Sequence, residues 1–396
     1  MQDNNSEPAV TNNQQKRKKS LTIFALVLLI AAISSSFYYF NFVVGEEETE
    51  DAYVNGNLVQ ITPELTGTVT RINVDDGDYV KQGQPLVYLD DADANIAFEN
   101  AEANLGQTVR QVRALFNDLE QAKAVVKTKT IALEQAQSDY NRRKNMVKAG
   151  GLSREELSHA RDVMNSASQD LAAAKQQLQA RKAAVQNTTV ETHPLVKAAI
   201  ANVKKTYLDK RRTVLVAPVS GYVAQRNVQV GQRISQSSTL MSVVPLNQVW
   251  VDANFKETQL TDMRLGQKVN LISDLYGDDV VFHGTVESLG IGTGSAFSVL
   301  PAQNATGNWI KVVQRLPVRI KLDAKELTAH PLRIGLSMTA EVDTSNKEGA
   351  LLSRTSSDKA LFKTDVYSQS LAGVESLVDR IIDENDSATQ KFLAKE

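Results

Sequence analysis

Apolar residues return every seven positions along two stretches of the chain. The first runs Phe98, Leu105, Val112, Leu119, Val126, Leu133, Tyr140 and Val147, the second Leu157, Met164, Leu171, Leu178 and Val185. A heptad period sustained this long puts a narrow apolar seam on a helix and predicts a coiled coil. Between the series lies Ala149-Gly150-Gly151-Leu152, a helix stop, and then Ser153 with Glu156 three residues on, the capping-box pattern of a new helix. Antiparallel arms pair residues whose numbers add to a constant. Leu157 with Val147, Met164 with Tyr140, Leu171 with Leu133, Leu178 with Val126 and Val185 with Leu119 all give 304, centred on Leu152. The seam thus predicts the reversal that the glycines mark. An ascending arm from Asp91 to Val147 would be about 85 Å long at ~1.5 Å per residue. Asp90, Asp91 and Asp93 suit its start, where carboxylates face the positive end of the helix dipole. On the way back, Thr192, His193 and Pro194 interrupt the helix, and Leu195 to Arg212 restarts it.

A different pattern opens the chain. Lys16, Arg17, Lys18 and Lys19 precede a stretch from Leu21 to Val44 without a charged residue, and Glu46, Glu47 and Glu48 follow it. Such a stretch is long enough for the ~30 Å hydrocarbon core of a bilayer. The basic flank predicts a cytoplasmic N-terminus and everything beyond Gly45 outside, and the length of the run favours a single uncleaved span over the competing reading of a cleaved signal peptide. A span without ionisable groups relays no protons, so any energy source must lie in a partner.

The chain also contains a split repeat. Gly67, Val69, Val74, Gly77, Val80 and Leu86 register without a gap on Gly221, Val223, Val228, Gly231, Ile234 and Leu240. Each half reads as a strand, a turn at Gly77 or Gly231 and a return strand from Val80 or Ile234. The repeat resembles the two halves of a biotinyl or lipoyl domain. In that family a modified lysine sits on the hairpin joining the halves, whereas here the helical insertion occupies the join and Lys81 reads as a surface lysine. Residues 246–345 alternate apolar and polar positions, with strands expected near Val249–Val251, Val269–Ile272, Gly284–Val286, Ile310–Val313 and Val318–Leu322 and a turn at Tyr276–Asp279. In the tail, Val374, Leu377, Val378, Ile381 and Ile382 fit one face of an amphipathic helix.

Composition narrows the chemistry. A formal net charge of -2 in 396 residues gives no field for nucleic acid, and the absence of cysteine removes disulfides and thiolate metal sites. His159, His193, His283 and His330 lack ligand spacing, so no metal is expected. Gly290, Gly292 and Gly294 lack the Lys-Ser or Lys-Thr of a phosphate loop and read as a flexible β loop. No nucleophile with a base and an orienting group can be nominated, so neither a catalytic function nor a cofactor is expected.

The order of anchor, half repeat, helical hairpin, second half and β domains resembles the membrane fusion proteins of the HlyD class. Thr49–Val54, Val251–Leu260, Gly292–Phe297 and Leu300–Trp309 are similar to segments of the EmrA-type multidrug adaptors, and the likeness covers about residues 16 to 345. The resemblance implies a mixed α and β, elongated fold with a single N-terminal transmembrane helix and a split lipoyl-like domain interrupted by a coiled-coil hairpin. Its segments would be a cytoplasmic arm (1–20), an anchor (21–44), a membrane-proximal or barrel strand (45–62), lipoyl half 1 (63–90), the hairpin (91–212), lipoyl half 2 (213–245), a β-barrel and membrane-proximal domain (246–345) and a tail (346–396). It further implies homo-oligomers working between an EmrB-like, proton-driven major facilitator transporter and a TolC-like outer-membrane channel. In many such adaptors the hairpin tip carries Arg, Leu and Ser spaced for docking on the channel. The matching positions are Arg142, Met146, Gly150 and Ser153, with Met146 where that pattern carries Leu. Arg142 also reads as a solvated coiled-coil charge and Ser153 as an N-cap. The neighbouring reading is an adaptor of a type I secretion system with an ABC transporter. More distant ones are a lipoylated or biotinylated carrier and a coiled-coil spacer.

Overall fold

The computed structural model describes residues 13–42, 45–294, 296–297, 313–353, 360–369 and 371–393. In chain order these form helix α1 (Asn13–Phe42), strands β1 (Glu46–Asn55), β2 (Val59–Ile61), β3 (Gly67–Ile72), β4 (Tyr79–Val80) and β5 (Pro85–Leu89), and helices α2 (Ala92–Lys148), α3 (Arg154–Val185) and α4 (Pro194–Arg211). Strands β6 (Val214–Val216), β7 (Gly221–Ala224), β8 (Arg233–Ile234), β9 (Met241–Val244), β10 (Trp250–Lys256), β11 (Lys268–Ser273), β12 (Val281–Leu289) and β13 (Arg315–Leu322) follow, then helix α5 (Ala324–Ala329), strand β14 (Ser337–Asp343) and helix α6 (Val374–Leu393). The chain divides into two compact units, one of residues 1–59, 219–224 and 242–363, the other of 60–218, 225–241 and 364–396.

The first unit is built on a closed antiparallel barrel in the order β1-β10-β13-β12-β11-β14. Closure leaves no edge strand, and alternation along each strand fills the interior. Val251, Ala253 and Phe255 of β10, Val318 and Ile320 of β13, and Met338, Ala340 and Val342 of β14 are buried with Leu271 and Phe282. Leu327 and Leu332, in and after α5, join this core. The strands expected near 249–251, 269–272, 284–286 and 318–322 overlap β10, β11, β12 and β13. Of the strand expected at 310–313, residues 310–312 lie outside the described residues and Val313 has no strand pairing. The segment expected at 45–62 supplies a barrel strand, since β1 sits between β10 and β14. Ahead of it, α1 covers most of the apolar stretch, with Leu21 to Ser34 exposed. Among the described residues no helix is long and apolar enough to cross a membrane, and the expected span runs on through 35–44, whose side chains lie outside the described set.

In the second unit the two halves of the repeat meet. Strand β3 of the first half pairs with β8 of the second, Gly67 opposite Ile234, within the order β6-β5-β3-β8. The halves repeat one another bond for bond. Asn73 N–H donates to the Leu86 carbonyl at 2.9 Å, as Asn227 does to Leu240 at 2.8 Å. The Asp75 amide donates to the Asp78 side chain at 2.8 Å, as Gln229 does to Gln232 at 2.9 Å. The Lys81 amide donates to the Gln84 side chain at 3.0 Å, as Ser235 does to Ser238 at 3.3 Å. Gly77 and Gly231 both take positive φ, +89° and +83°. Val74, Val80 and Leu86 are buried, and so are Val228, Ile234 and Leu240. Lys81 is exposed in its turn, with no hairpin between the halves to carry it.

Between the halves, α2 runs for 57 residues, about 85 Å at the ordinary helical rise. Ion pairs Arg181–Asp118 at 3.2 Å and Lys129–Asp170 at 2.7 Å show that advancing along α2 retreats along α3, so the arms are antiparallel. All thirteen heptad residues are buried or half-buried, and on α3 the large Leu157, Met164 and Leu171 alternate with Ala160, Ala167 and Ala174. Asp90, rather than Asp91, accepts the hydrogen bond of the first helical turn, from Ala92 N–H at 3.1 Å.

The joint in the descending arm begins earlier than expected. Helix α3 stops at Val185, not at Thr192, because residues 187–192 satisfy their polar groups locally and so compete with the helix. Asn187 takes φ of +60°, Thr188 Oγ1 donates to the Val185 carbonyl at 2.9 Å, and Thr189 and Thr192 cap each other. His193 is buried and bridges the joint, its Nδ1 accepting from Leu195 N–H at 3.3 Å while Nε2 faces the Ala184 carbonyl at 3.2 Å.

The expected tail helix is α6, and it packs in this unit. Val374, Val378 and Ile382 are buried against Phe98, Leu105, Val109 and Val112 of α2 and Val196 and Val203 of α4. Tyr207 donates its hydroxyl hydrogen to the Ala372 carbonyl at 2.9 Å, and Arg113 forms a two-pronged ion pair with Asp386. The hairpin base is therefore a bundle of α2, α4 and α6.

Candidate docking tip of the helical hairpin

Helix α2 ends in a Schellman motif: Gly151 N–H returns to the Met146 carbonyl at 3.0 Å and Gly150 N–H to Val147 at 3.1 Å. Gly150 makes this possible with φ of +78°, and a Cβ there would meet nothing within 4 Å, so the demand for glycine is conformational. Two residues on, the capping box opens α3. Ser153 Oγ accepts from Glu156 N–H at 3.2 Å, while Glu156 Oε2 accepts from Ser153 N–H at 3.1 Å and from the Ser153 hydroxyl at 2.9 Å. The backbone and side-chain hydrogen bonds from Ser153 hold the Glu156 carboxyl below its ordinary pKa.

Met146, Gly150 and Ser153 thus belong to one compact reversal, with Met146 exposed at 45%. Arg142 lies one helical turn earlier on the same face as Met146. Its guanidinium is largely exposed and reaches Asp139 at 2.5 Å, while Arg143 reaches the other oxygen of the same carboxylate at 2.8 Å. The hydrogen bond from Arg142, joined by the charge of Arg143, pulls the Asp139 pKa down. Asp139 was not singled out from sequence, although Asp-x-x-Arg-Arg at i, i+3 and i+4 was the signal for it. The tip therefore offers guanidinium donors, an exposed thioether and a capped turn.

Elsewhere, His283 Nδ1 meets Glu326 at 2.7 Å, and the His330 ring packs edge-on against Tyr276. Among the described residues no three His, Cys, Asp or Glu are grouped to hold a metal ion. An open, charged recess of about 620 Å³ on the barrel is lined by residues including Glu48, Asp51, Lys256 and Arg315.

A long antiparallel hairpin inserted between two β half-repeats and followed by a closed barrel defines an adaptor of the membrane fusion class. Residues 92–213 match the family described as EMRA, alpha-helical hairpin domain, and residues 248–343 that described as AAEA-like beta-barrel domain. The chain is 48% identical to the multidrug export protein EmrA of Escherichia coli (strain K12) over 339 residues, 86% of this chain and 87% of that protein. It is 50% identical to the fatty acid resistance protein FarA of Neisseria gonorrhoeae over 309 residues, 78% of each. The solved periplasmic adaptor protein EmrA aligns over 76% of this chain and 98% of its own, at 19% identity and a TM-score of 0.38. The chain belongs to the EmrA family of multidrug export adaptors, which are not enzymes.

Proposed function

We propose that this chain is the periplasmic adaptor of a tripartite multidrug efflux pump, joining a proton-driven major facilitator transporter in the inner membrane to a TolC-like channel in the outer membrane. Residues 21–44 anchor it, with the basic cluster Lys16–Lys19 in the cytoplasm, and copies of the chain associate around the conduit. Arg142, Met146, Gly150 and Ser153 form the channel-docking surface. The observation that carries this reading is the hairpin itself. An arm of about 85 Å brings an ordered tip, with exposed Arg142 and Met146, far from the strands that root it.

A photo-crosslinking residue at position 146 of the full chain in cells tests it. The expected adduct is an outer-membrane channel, with a polytopic transporter lacking a nucleotide-binding cassette co-purifying. An ABC transporter in the purified complex would replace efflux with type I secretion. Absence of any outer-membrane adduct would remove the docking role.

A further inference from the structure

The barrel has one rim at which several features converge. Strand β1 begins there at Glu46, four residues after α1 ends at Phe42, a distance of at most about 14 Å for an extended chain. Arg315 at the start of β13 pairs with Asp51 at 2.7 Å, stands opposite Lys256 at the end of β10, and has Gln259 beside it donating to the Glu48 carbonyl at 3.0 Å. The connection from β12 to β13 leaves and re-enters the barrel at this same rim, where Gly290 N–H donates to the Pro317 carbonyl at 2.8 Å.

The described part of that connection exposes apolar side chains. Ile291 is 92% and Phe297 74% accessible, and Val313 is exposed as well. Scattered apolar residues on a surface need no explanation. Here they share one loop, and the sequence from Ser288 to Ile310 holds no charged residue in a chain that is otherwise 23% charged. The described part of the loop is also built. Ala296 N–H closes a turn on the Thr293 carbonyl at 3.0 Å, and the Phe297 ring lies so close over Gly292 that a Cβ there would fall 2.5 Å from it. Gly290 is equally constrained, since its Cβ would fall 2.7 Å from the Pro317 carbonyl oxygen. Of the three glycines that read in sequence as a flexible loop, Gly292 lies beneath an outward-facing aromatic ring and Gly290 against the Pro317 backbone.

We infer that the Ile291–Phe297 turn is a lipid-contacting element that dips into the outer-facing interfacial region of the same bilayer that holds the anchor. The Ile291–Phe297 turn carries no charge and presents aromatic and aliphatic side chains, which fits the headgroup and upper acyl region, and the absence of Lys and Arg within it makes its contact independent of anionic lipid. This rests on the reading of residues 21–44 as a membrane anchor.

The chain has no cysteine, so single-cysteine labelling needs no background removal. Full-length Phe297→Cys carrying an environment-sensitive dye is placed in phosphatidylcholine nanodiscs with no other protein, and Leu58→Cys, past the far end of β1, is the reference. The expected result is blue-shifted emission at position 297, quenched by a lipid-borne quencher at headgroup depth and unchanged by salt, with water-like emission at 58. Water-like, unquenched emission at 297 in disc-bound protein overturns the inference while leaving the anchor intact. So does shielding that arises only when a second membrane protein is added. Failure of the chain to enter discs at all overturns the anchor and the inference together.

Discussion

Gly106, in the first third of the ascending arm, faces Asn385 of the tail helix so closely that a methyl group on Gly106 would lie 3.0 Å from the Asn385 amide nitrogen. A glycine inside a 57-residue helix costs about 1 kcal/mol relative to alanine, so its presence marks a close approach. The approach places Arg110 on Asn385 and Arg113 on Asp386. Gly106→Leu should therefore prise the C-terminal part of α6 from α2, at about 1–3 kcal/mol. Hydrogen exchange would register it as lost protection in α6 with the barrel unaffected. Unchanged protection would mean that α6 is held by its first turns alone.

The capping box at the tip responds to acid. Because the folded state holds Glu156 below its ordinary carboxylate pKa, the capping contribution is fully present above the unfolded pKa and fades as pH falls through the lower folded pKa. Ser153→Ala should cost about 1 kcal/mol of local stability at neutral pH and should flatten that acid dependence. Exchange rates of the first amides of α3, measured from pH 7 down to pH 3, check both. An acid response in Ser153→Ala as steep as in the parent chain would show that the cap is not its source.

Much of this was legible because each feature has a period. The heptads that give Leu133 and Leu171 one seam also fix where the chain turns, and the turn is the Schellman and capping-box pair that Gly150 and Ser153 spell out. The repeat was legible at six positions, and the structure carries it further, to the matching backbone hydrogen bonds of Asn73 and Asn227. Three things were not. The joint begins at Gln186 because threonine side chains there bond to nearby backbone, an effect with no period. The face of α6 was visible, but its partner was not, since an amphipathic stripe does not say what it covers. Asp139, which organises Arg142 and Arg143, looked like any helix-surface carboxylate among many.

The two turn glycines of the repeat offer a symmetric test. Gly77 and Gly231 have φ of +89° and +83°, and a Cβ on either would meet nothing within 4 Å. Substitution by alanine should cost only the left-handed backbone penalty, about 1–2 kcal/mol at each site, with nothing added from packing. Chemical denaturation of the two variants should give matching losses within about 0.5 kcal/mol, the usual uncertainty for independent sites. A several-fold difference between them would show that the halves, alike in hydrogen bonding, carry unequal strain.

Arg142→Asp tests the tip most directly. The change sets a carboxylate one turn from Asp139, removes the hydrogen bond that lowers the Asp139 pKa, and leaves Arg143 as the only cation on that carboxylate. The coiled-coil seam is untouched, because Arg142 is exposed and lies off the heptad positions Tyr140 and Val147. The chain should therefore fold and reach the membrane at parental levels, while drug resistance and the crosslink from position 146 to the outer-membrane channel are both lost. Arg142→Lys keeps the charge but not the planar fork and should retain part of each. Asp139→Asn frees both guanidinium groups without changing them, so docking that depends on arginine donors should survive it. Full resistance in Arg142→Asp, at equal expression, would return Arg142 to the status of a solvated helix charge and leave the turn formed by Gly150 and Ser153 as a structural end to the hairpin.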